Sequence, residues 1–362
     1  MTVRRHRIAA VPGDGIGIEV TGEALKILAA VTEAHRLDVE VTSYDFGAER
    51  FLRTGETLPE GMLDTFRTFD AIFMGAFGDP RVPDMRHAAD ILLGTRFHLD
   101  LWANERPVRC LSDRLCPLKA FRASEFDFVI FRENTEGLYV GMGGNFKKGT
   151  PDEIAIQEDV NTRKGVERII RHAFRAALRR ADRPGAARSP KVTMADKSNV
   201  LRFGHDLWQR VFREVAAEHK EVEANHLYVD ALAMQMVKNP CQFDVIVTCN
   251  MFGDIVTDLG AQLQGGLGMA ASGNINPAGV SMFEPVHGSA PKYAGRDVAN
   301  PFGAILTMGM MLEHLGESAA GLAVEQAVRT AVDRGRCTKD VGGALGTRAT
   351  GDAVASLLGE GA

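Results

Sequence analysis

Residues Arg7–Val20 read RIAAVPGDGIGIEV. The apolar run Arg7–Val11 is followed by a turn with glycines at 13, 15 and 17, then by Glu19–Thr32 with apolar residues at helical spacing. Strand, glycine turn and helix in that order open an α/β layer. Glycine permits positive φ and close approach of a ligand to the backbone. The run is not G-x-G-x-x-G, because its sixth position is Ile18, so the dinucleotide fingerprint fails. A tight turn with no ligand reads equally well.

The same alternation continues outward from this stretch. Val39–Tyr44, Ala71–Met74, Phe128–Phe131, Val192–Met194 and Phe243–Thr248 read as strands. Met62–Arg67, Val166–Arg179, Phe203–Glu218, a run from Gly253, Pro301–His314 and Ala319–Arg334 read as helices. The fold class is therefore α/β with a largely parallel sheet. Met142–Pro151, followed by alternating Glu153–Ile156, predicts a hairpin arm, and Arg179–Pro190 an exposed polar connection. GLGMAA at Gly266–Ala271 satisfies a loose G-x-G-x-x-A but follows a helix pattern, so it reads as a false match.

The chain has 362 residues, long enough for two domains, with 45% hydrophobic and 25% charged residues. No composition shift marks one boundary, so two domains would be interleaved. A net charge of −5 is a poor footprint for nucleic acid and favours a small-molecule site. The opening MTVRRHRIAAVPGDG has no h-region, and no uncharged apolar run reaches about 18 residues, so neither leader nor membrane span is expected. Five cysteines without a C-x-x-C pair argue against a disulfide framework and for a reducing, cytoplasmic setting.

Several constellations can carry chemistry. In NMFGDIVTD, Asp254 and Asp258 are spaced i, i+4 and share one helix face. They suit a hard divalent cation such as Mg²⁺ or Mn²⁺, and they also suit the dipole of a helix start. Asp230, in YVDA, reads alone as an N-cap and otherwise as a third carboxylate. Arg96, Arg106 and Arg132 could grip a di- or tricarboxylic acid, or form scattered ion pairs. Lys197 follows a strand in VTMADKSNV and could act as a base, with Tyr139 as a hydroxyl partner; each also reads as solvated surface or packing. FEPVHGSAPKYAG, Phe283–Gly295, offers backbone N–H donors, Lys292 and Tyr293 for a phosphate, or is a Pro/Gly loop.

FRENTEGLY, ADKSNV, YVDA, NMFGDIVTD and FEPVHGSAP, with GDGIGIEV before and TKDVGG (Thr338–Gly343) after, resemble the metal-dependent β-decarboxylating hydroxyacid dehydrogenases, which include isopropylmalate, isocitrate, homoisocitrate and tartrate/D-malate enzymes. The resemblance covers nearly the whole chain. It implies an isopropylmalate dehydrogenase-like fold with two interleaved domains, not a Rossmann fold. Residues 1–100 and 258–362 would form a large domain with most of the coenzyme site. Residues 101–257 would form a small domain with the dimer interface and an arm near 140–160.

The resemblance also implies roles. Asp230, Asp254 and Asp258 correspond to Mg²⁺ or Mn²⁺ ligands, with Asp230 and Lys197 supplied by the neighbouring subunit of a homodimer. Arg96, Arg106 and Arg132 correspond to the clamp on the hydroxy-dicarboxylic acid, Lys197 to the base and Tyr139 to the acid. Leu92, Leu93 and Val200 resemble the apolar pocket of isopropylmalate enzymes, although Ala89 replaces their usual glutamate and Asp90 is adjacent. FRENTEG and TPDEIAIQE also resemble tartrate/D-malate enzymes. Isocitrate enzymes place Ser and Asn where Asp90 and Leu92 stand. Glu284, His287, Gly288, Ser289, Ala290, Lys292, Tyr293 and Asn300 correspond to the coenzyme loop. Lys292 and Tyr293 match a pair that holds the 2′-phosphate of NADP⁺, whereas Lys339 and Gly343 replace a further Tyr and Arg of those enzymes; NADP⁺ is favoured over NAD⁺. Ile18 stands where the family usually has proline.

Overall fold

The structure, a computed structural model, describes residues 4–183 and 189–360. In chain order it runs β1 (Arg5–Gly13), α1 (Ile16–His35), β2 (Asp38–Ser43), α2 (Ala48–Thr54), α3 (Met62–Phe66), β3 (Ala71–Ala76), α4 (Arg86–His98) and β4 (Ala103–Arg109). There follow β5 (Asp127–Glu133), β6 (Gly143–Phe146), β7 (Ile154–Gln157), α5 (Arg163–Ala181), β8 (Lys191–Asp196), α6 (Gly204–Glu218), β9 (Glu223–Tyr228) and α7 (Val229–Lys238). The remainder is β10 (Val245–Thr248), α8 (Asn250–Leu263), β11 (Gly273–Ile275), β12 (Ser281–Phe283), α9 (Phe302–His314), α10 (Ser318–Asp333) and α11 (Thr347–Glu360).

The chain folds as two compact units. One comprises Met1–Leu101, Arg109–Ser124 and Ala261–Ala362; the other comprises Trp102–Val108 and Glu125–Gly260. The resemblance implies a small domain unbroken from 101 to 257. Instead, Arg109–Ser124 returns to the first unit because side chains tie it there. Arg109 Nη1 binds Glu325 Oε2 at 2.6 Å, and Ser112 Oγ donates to Asp333 Oδ1 at 2.6 Å. Arg114 donates to the carbonyls of Val332 and Gly342. No local pattern announces these contacts.

In the first unit the strand order is β2-β1-β3-β12-β11. β1 pairs in parallel with β2 and β3, β3 in parallel with β12, and β12 antiparallel with β11. Every residue of β3 is buried, as expected of a parallel strand covered on both faces. Ile72 and Met74 pack with Ala9, Val11, Phe66, Phe69 and Ile91 in one core cluster. Gly13 and Gly15 have φ of 75° and 56°. A Cβ on Gly13 would lie 2.3 Å from Ala76 O, and one on Gly15 2.1 Å from Ser289 O. The glycine turn is thus demanded by close backbone approach.

In the second unit the order is β4-β5-β10-β8-β9, with β5, β10, β8 and β9 mutually parallel. α5 buries Val166, Ile169, Ile170, Ala173, Phe174 and Ala177, the stripe its spacing predicts. β6 and β7 form the two-stranded antiparallel arm. Further differences from the sequence reading are informative. α4 carries too many charges and short residues to show an apolar period and has no counterpart in the sequence reading, whereas the strand end expected at Arg106 in ANERP is β4. α8 begins at Asn250, not Gly253, and Asp230 lies inside the first turn of α7, whose N-cap is Tyr228. Of the connection expected over Arg179–Pro190, α5 takes Arg179–Ala181, and residues 184–188 lie outside the described residues.

Candidate active site

In the second unit, β10 runs into α8, whose exposed face carries Asp254 and Asp258 one turn apart. Their side chains are about half exposed, at 42% and 58%. Arg132, near the end of β5 and only 2% exposed, places Nη1 2.5 Å from Asp254 Oδ1. Its Nε and Nη2 donate to Asn250 Oδ1 at 2.9 and 2.7 Å. Gly253 makes this possible, since a Cβ there would sit 2.5 Å from Arg132 Cγ. Tyr139 Oη donates to Asp254 Oδ2 at 3.2 Å, and the Arg132 guanidinium stands 5.2 Å from the Tyr139 ring centre. Arg106 reaches both acids, 3.8 Å from Asp254 and 3.6 Å from Asp258, and donates to Thr257 Oγ1 at 2.6 Å. Burial raises the Asp258 carboxyl above its ordinary range; Arg106 opposes this and the Asp254 charge adds to it.

Lys197 and Asp230 form a separate pair in the same unit. Lys197 Nζ lies 2.7 Å from Asp230 Oδ1, and its hydrogen bond holds the Asp230 carboxyl below the usual range. The Lys197 backbone N–H donates to His205 Nδ1 at 2.8 Å. Val200, in the turn that follows, is exposed. Among the described residues no three His, Cys, Asp or Glu side chains form a metal-holding group. Asp230 therefore does not join Asp254 and Asp258 within one chain.

The first unit holds Arg96 and the coenzyme-loop residues. Arg96, in the last turn of α4, binds Glu284 Oε1 at 2.5 Å, and Asn274 Nδ2 donates to the same oxygen at 2.9 Å. Leu93 is half-buried, and Leu92 packs partly against the core cluster. A cavity of about 600 Å³ is lined by Ile16, Gly268, His287, Ala290, Tyr293, Val298, Ala299, Asn300, Lys339 and Asp340. Burial pushes the His287 imidazole below its ordinary range, and its Nε2 is buried without a partner among the described residues. Asn300 Nδ2 donates to Asp340 Oδ2 at 2.9 Å. Lys292 is exposed, its Nζ 4.7 Å from the Tyr293 ring centre. Gly288 is exposed, whereas Ser289 turns inward to donate to Gly78 O at 2.6 Å.

Sequence reasoning missed Asn250, Gly253 and Thr257 around Arg132 and Arg106, and Ile16, Gly268, Val298, Ala299 and Asp340 in the cavity wall. Asn250, Gly253 and Thr257 stand inside the quoted NMFGDIVTD, where the glycine in a helix was the available signal. Gly268 belongs to the GLGMAA stretch set aside as a false match; it has a cavity position although no strand precedes it.

An acidic pair held by arginines beside a tyrosine thus stands on an α/β scaffold. Residues 7–354 match the family described as Isocitrate/isopropylmalate dehydrogenase, and the chain belongs to that family. It is 48% identical over 362 residues to a 3-isopropylmalate dehydrogenase of Thermobifida fusca, covering 99% of each chain. It is 46% identical to one of Frankia casuarinae, covering 95% of this chain and 100% of that protein. An isocitrate dehydrogenase structure from Methylococcus capsulatus superposes with a TM-score of 0.86 at 37% identity, covering 98% of this chain and 99% of that one. The protein is an oxidoreductase that decarboxylates a hydroxyacid. No helix among the described residues is long and apolar enough to cross a membrane.

Proposed function

We propose that the protein oxidises a 3-substituted malate of the 3-isopropylmalate type, with loss of carbon dioxide. The observation that carries this reading is the set Arg106, Arg132, Tyr139, Asp254 and Asp258: two cations and a hydroxyl converge on a carboxylate pair. Asp254 and Asp258 offer hard oxygen donors alone, which suits Mg²⁺ or Mn²⁺ and no soft metal. Asp230 of a second copy would complete the set. His287 Nε2 in the cavity wall, without a partner among the described residues, suits a polar coenzyme. When bound, a divalent ion supplies Lewis-acid polarisation of the hydroxyl carbon's oxygen, and a nicotinamide coenzyme supplies the hydride acceptor.

The chain's own residues do the rest. Arg96, Arg106 and Arg132 hold the substrate carboxylates, and their charge does not depend on pH. Lys197, delivered with Asp230 by the partner, accepts the hydroxyl proton. Tyr139 returns a proton to the carbon that carbon dioxide leaves. Leu92, Leu93 and Val200 supply the apolar wall for the substituent. The homodimer this requires is supported by Met234 and Val237 on α7 and Ile255 on α8, all exposed apolar side chains. Lys292 favours NADP⁺ over NAD⁺, because it adds a cation beside Tyr293, which lines the cavity. Five cysteines without a C-x-x-C pair suit a cytoplasmic setting.

The test is a panel of 3-isopropylmalate, D-malate, tartrate, isocitrate and homoisocitrate, with each coenzyme, with and without Mg²⁺ or Mn²⁺. Coenzyme reduction matched by carbon dioxide release is expected only with ion, coenzyme and acid together, fastest on 3-isopropylmalate. Fastest turnover of another acid replaces the substrate assignment; none on any acid rejects the reading.

A further inference from the structure

Asp14, in the glycine turn after β1, is 5% exposed, yet its carboxylate collects three donors from distant segments. Ala48 N–H, opening α2, reaches Oδ1 at 2.6 Å. Gly78 N–H, beyond β3, reaches Oδ2 at 2.8 Å, and His87 Nε2, in the first turn of α4, lies 2.9 Å from the same oxygen. A carboxylate only accepts, so His87 Nε2 carries the donated proton. The His87 ring is fully buried and stacks on Phe51, with centroids 6.1 Å apart, and its Nδ1 has no partner among the described residues.

This contact bears on the substrate helix. His87, Ile91 and Thr95 form the buried row of α4, while Leu92, Leu93 and Arg96 lie on its partly exposed flank. Met85, immediately before α4, has a left-handed backbone at φ 51°, a conformation that β-carbon-bearing residues adopt only when their surroundings hold them. α4 is pinned at two ends: His87 to Asp14 at its start, and Arg96 to Glu284 at its end. The second pin is the group that would take a substrate carboxylate, so it exchanges partners during binding. The first pin does not.

We infer that the Asp14–His87 pair is a positioning couple that fixes the start of α4 and thereby the reach of Arg96 toward the substrate. The couple rests on the proposed function for its consequence and on geometry for its existence. His87→Leu removes the donor at similar bulk, and His87→Gln supplies an amide donor in place of Nε2. H87L is expected to raise KM for the hydroxyacid about tenfold or more, leaving coenzyme KM and kcat within about threefold, with H87Q near wild type. Hydrogen exchange should quicken over residues 89–98 in H87L but not in H87Q. The Ala48 and Gly78 amides should stay protected in both, because Asp14 still accepts from them. If H87L does not fold, His87→Asn, whose amide stops short of Asp14, takes its place. Wild-type KM with wild-type exchange over α4 in the donor-less variant, or equal losses in H87Q, overturns the couple. A wild-type protein without turnover on any acid of the panel rejects the functional reading instead, and the exchange measurement still decides the geometry.

Discussion

The acidic corner of α8 and the cavity beside His287 solve opposite problems. At α8, Asp254 already has Arg132 at 2.5 Å and Tyr139 at 3.2 Å, and Arg106 stands within 4 Å of both acids. The chain's own side chains hold these charges together, and a site so arranged aims fixed dipoles at a reaction without reorganising. At the cavity, a buried nitrogen has no partner among the described residues and a lysine stands exposed beside Tyr293. The difference teaches that removing a group should cost more at the first place than at the second.

The largest effect is expected at Arg132. It is 2% exposed and holds both Asp254 and Asn250. Arg132→Leu should lower kcat/KM by roughly 10³-fold, since it removes a substrate clamp and frees the acid it orients. Arg132→Lys should recover only part, because a point charge cannot reproduce the fork. Full activity in R132K would break the contrast, showing that charge alone, not arrangement, matters at α8.

Tyr139→Phe comes next. The hydroxyl is held on Asp254 while the ring stays packed beside Arg132. As the proposed acid it should cost about 10²-fold in kcat with little change in KM. A change confined to KM would make Tyr139 a binding residue. Beside the cavity, at the neighbour of Tyr293, Lys292→Asp should weaken NADP⁺ by about tenfold and leave NAD⁺ nearly unchanged, read from KM for each coenzyme. An equal loss for both would remove Lys292 from coenzyme choice and leave the cavity without a charged determinant at that position.

How much of this was legible in the sequence follows the same division. β1 and β3 are readable as short continuous apolar runs, the mark of strands covered on both faces, and α5 because burial on one face imposes a period, as at Val166, Ile169, Ile170 and Ala173. α4 is not: His87 and Thr95 occupy its buried row, and a polar residue in a core row erases the period. Asp254 and Asp258 were visible as a pair because i, i+4 spacing fixes their shared face. Their links to Arg106, Arg132 and Tyr139 were not visible from spacing, because those residues lie more than a hundred positions away. The return of Arg109–Ser124 to the first unit rests on Arg109–Glu325 and Ser112–Asp333, again across more than two hundred residues. Local chemistry is written locally; the convergence of segments is written only in complementary side chains.

The smallest expected effect concerns the Lys197 turn. Its backbone N–H is satisfied by His205 Nδ1 at 2.8 Å, and the His205 ring is 1% exposed. Burial holds the imidazole below its ordinary range, with Asp196 and Asp159 opposing. In the unfolded chain the imidazole binds its proton near pH 6.5, about the ordinary value. The folded state binds fewer protons just below that pH, so unfolding free energy falls as the solution is acidified through the window from there down to the lower folded value. One such group contributes a slope of at most about 1.4 kcal/mol per pH unit. His205→Asn keeps an acceptor for the Lys197 N–H through its amide oxygen and removes the titration. Denaturant unfolding at pH 5.5 and 7.5 should therefore show a smaller acid loss in H205N than in wild type. Equal losses would assign the acid sensitivity elsewhere, with His287 and His314, both pushed down by burial, as the next groups to replace.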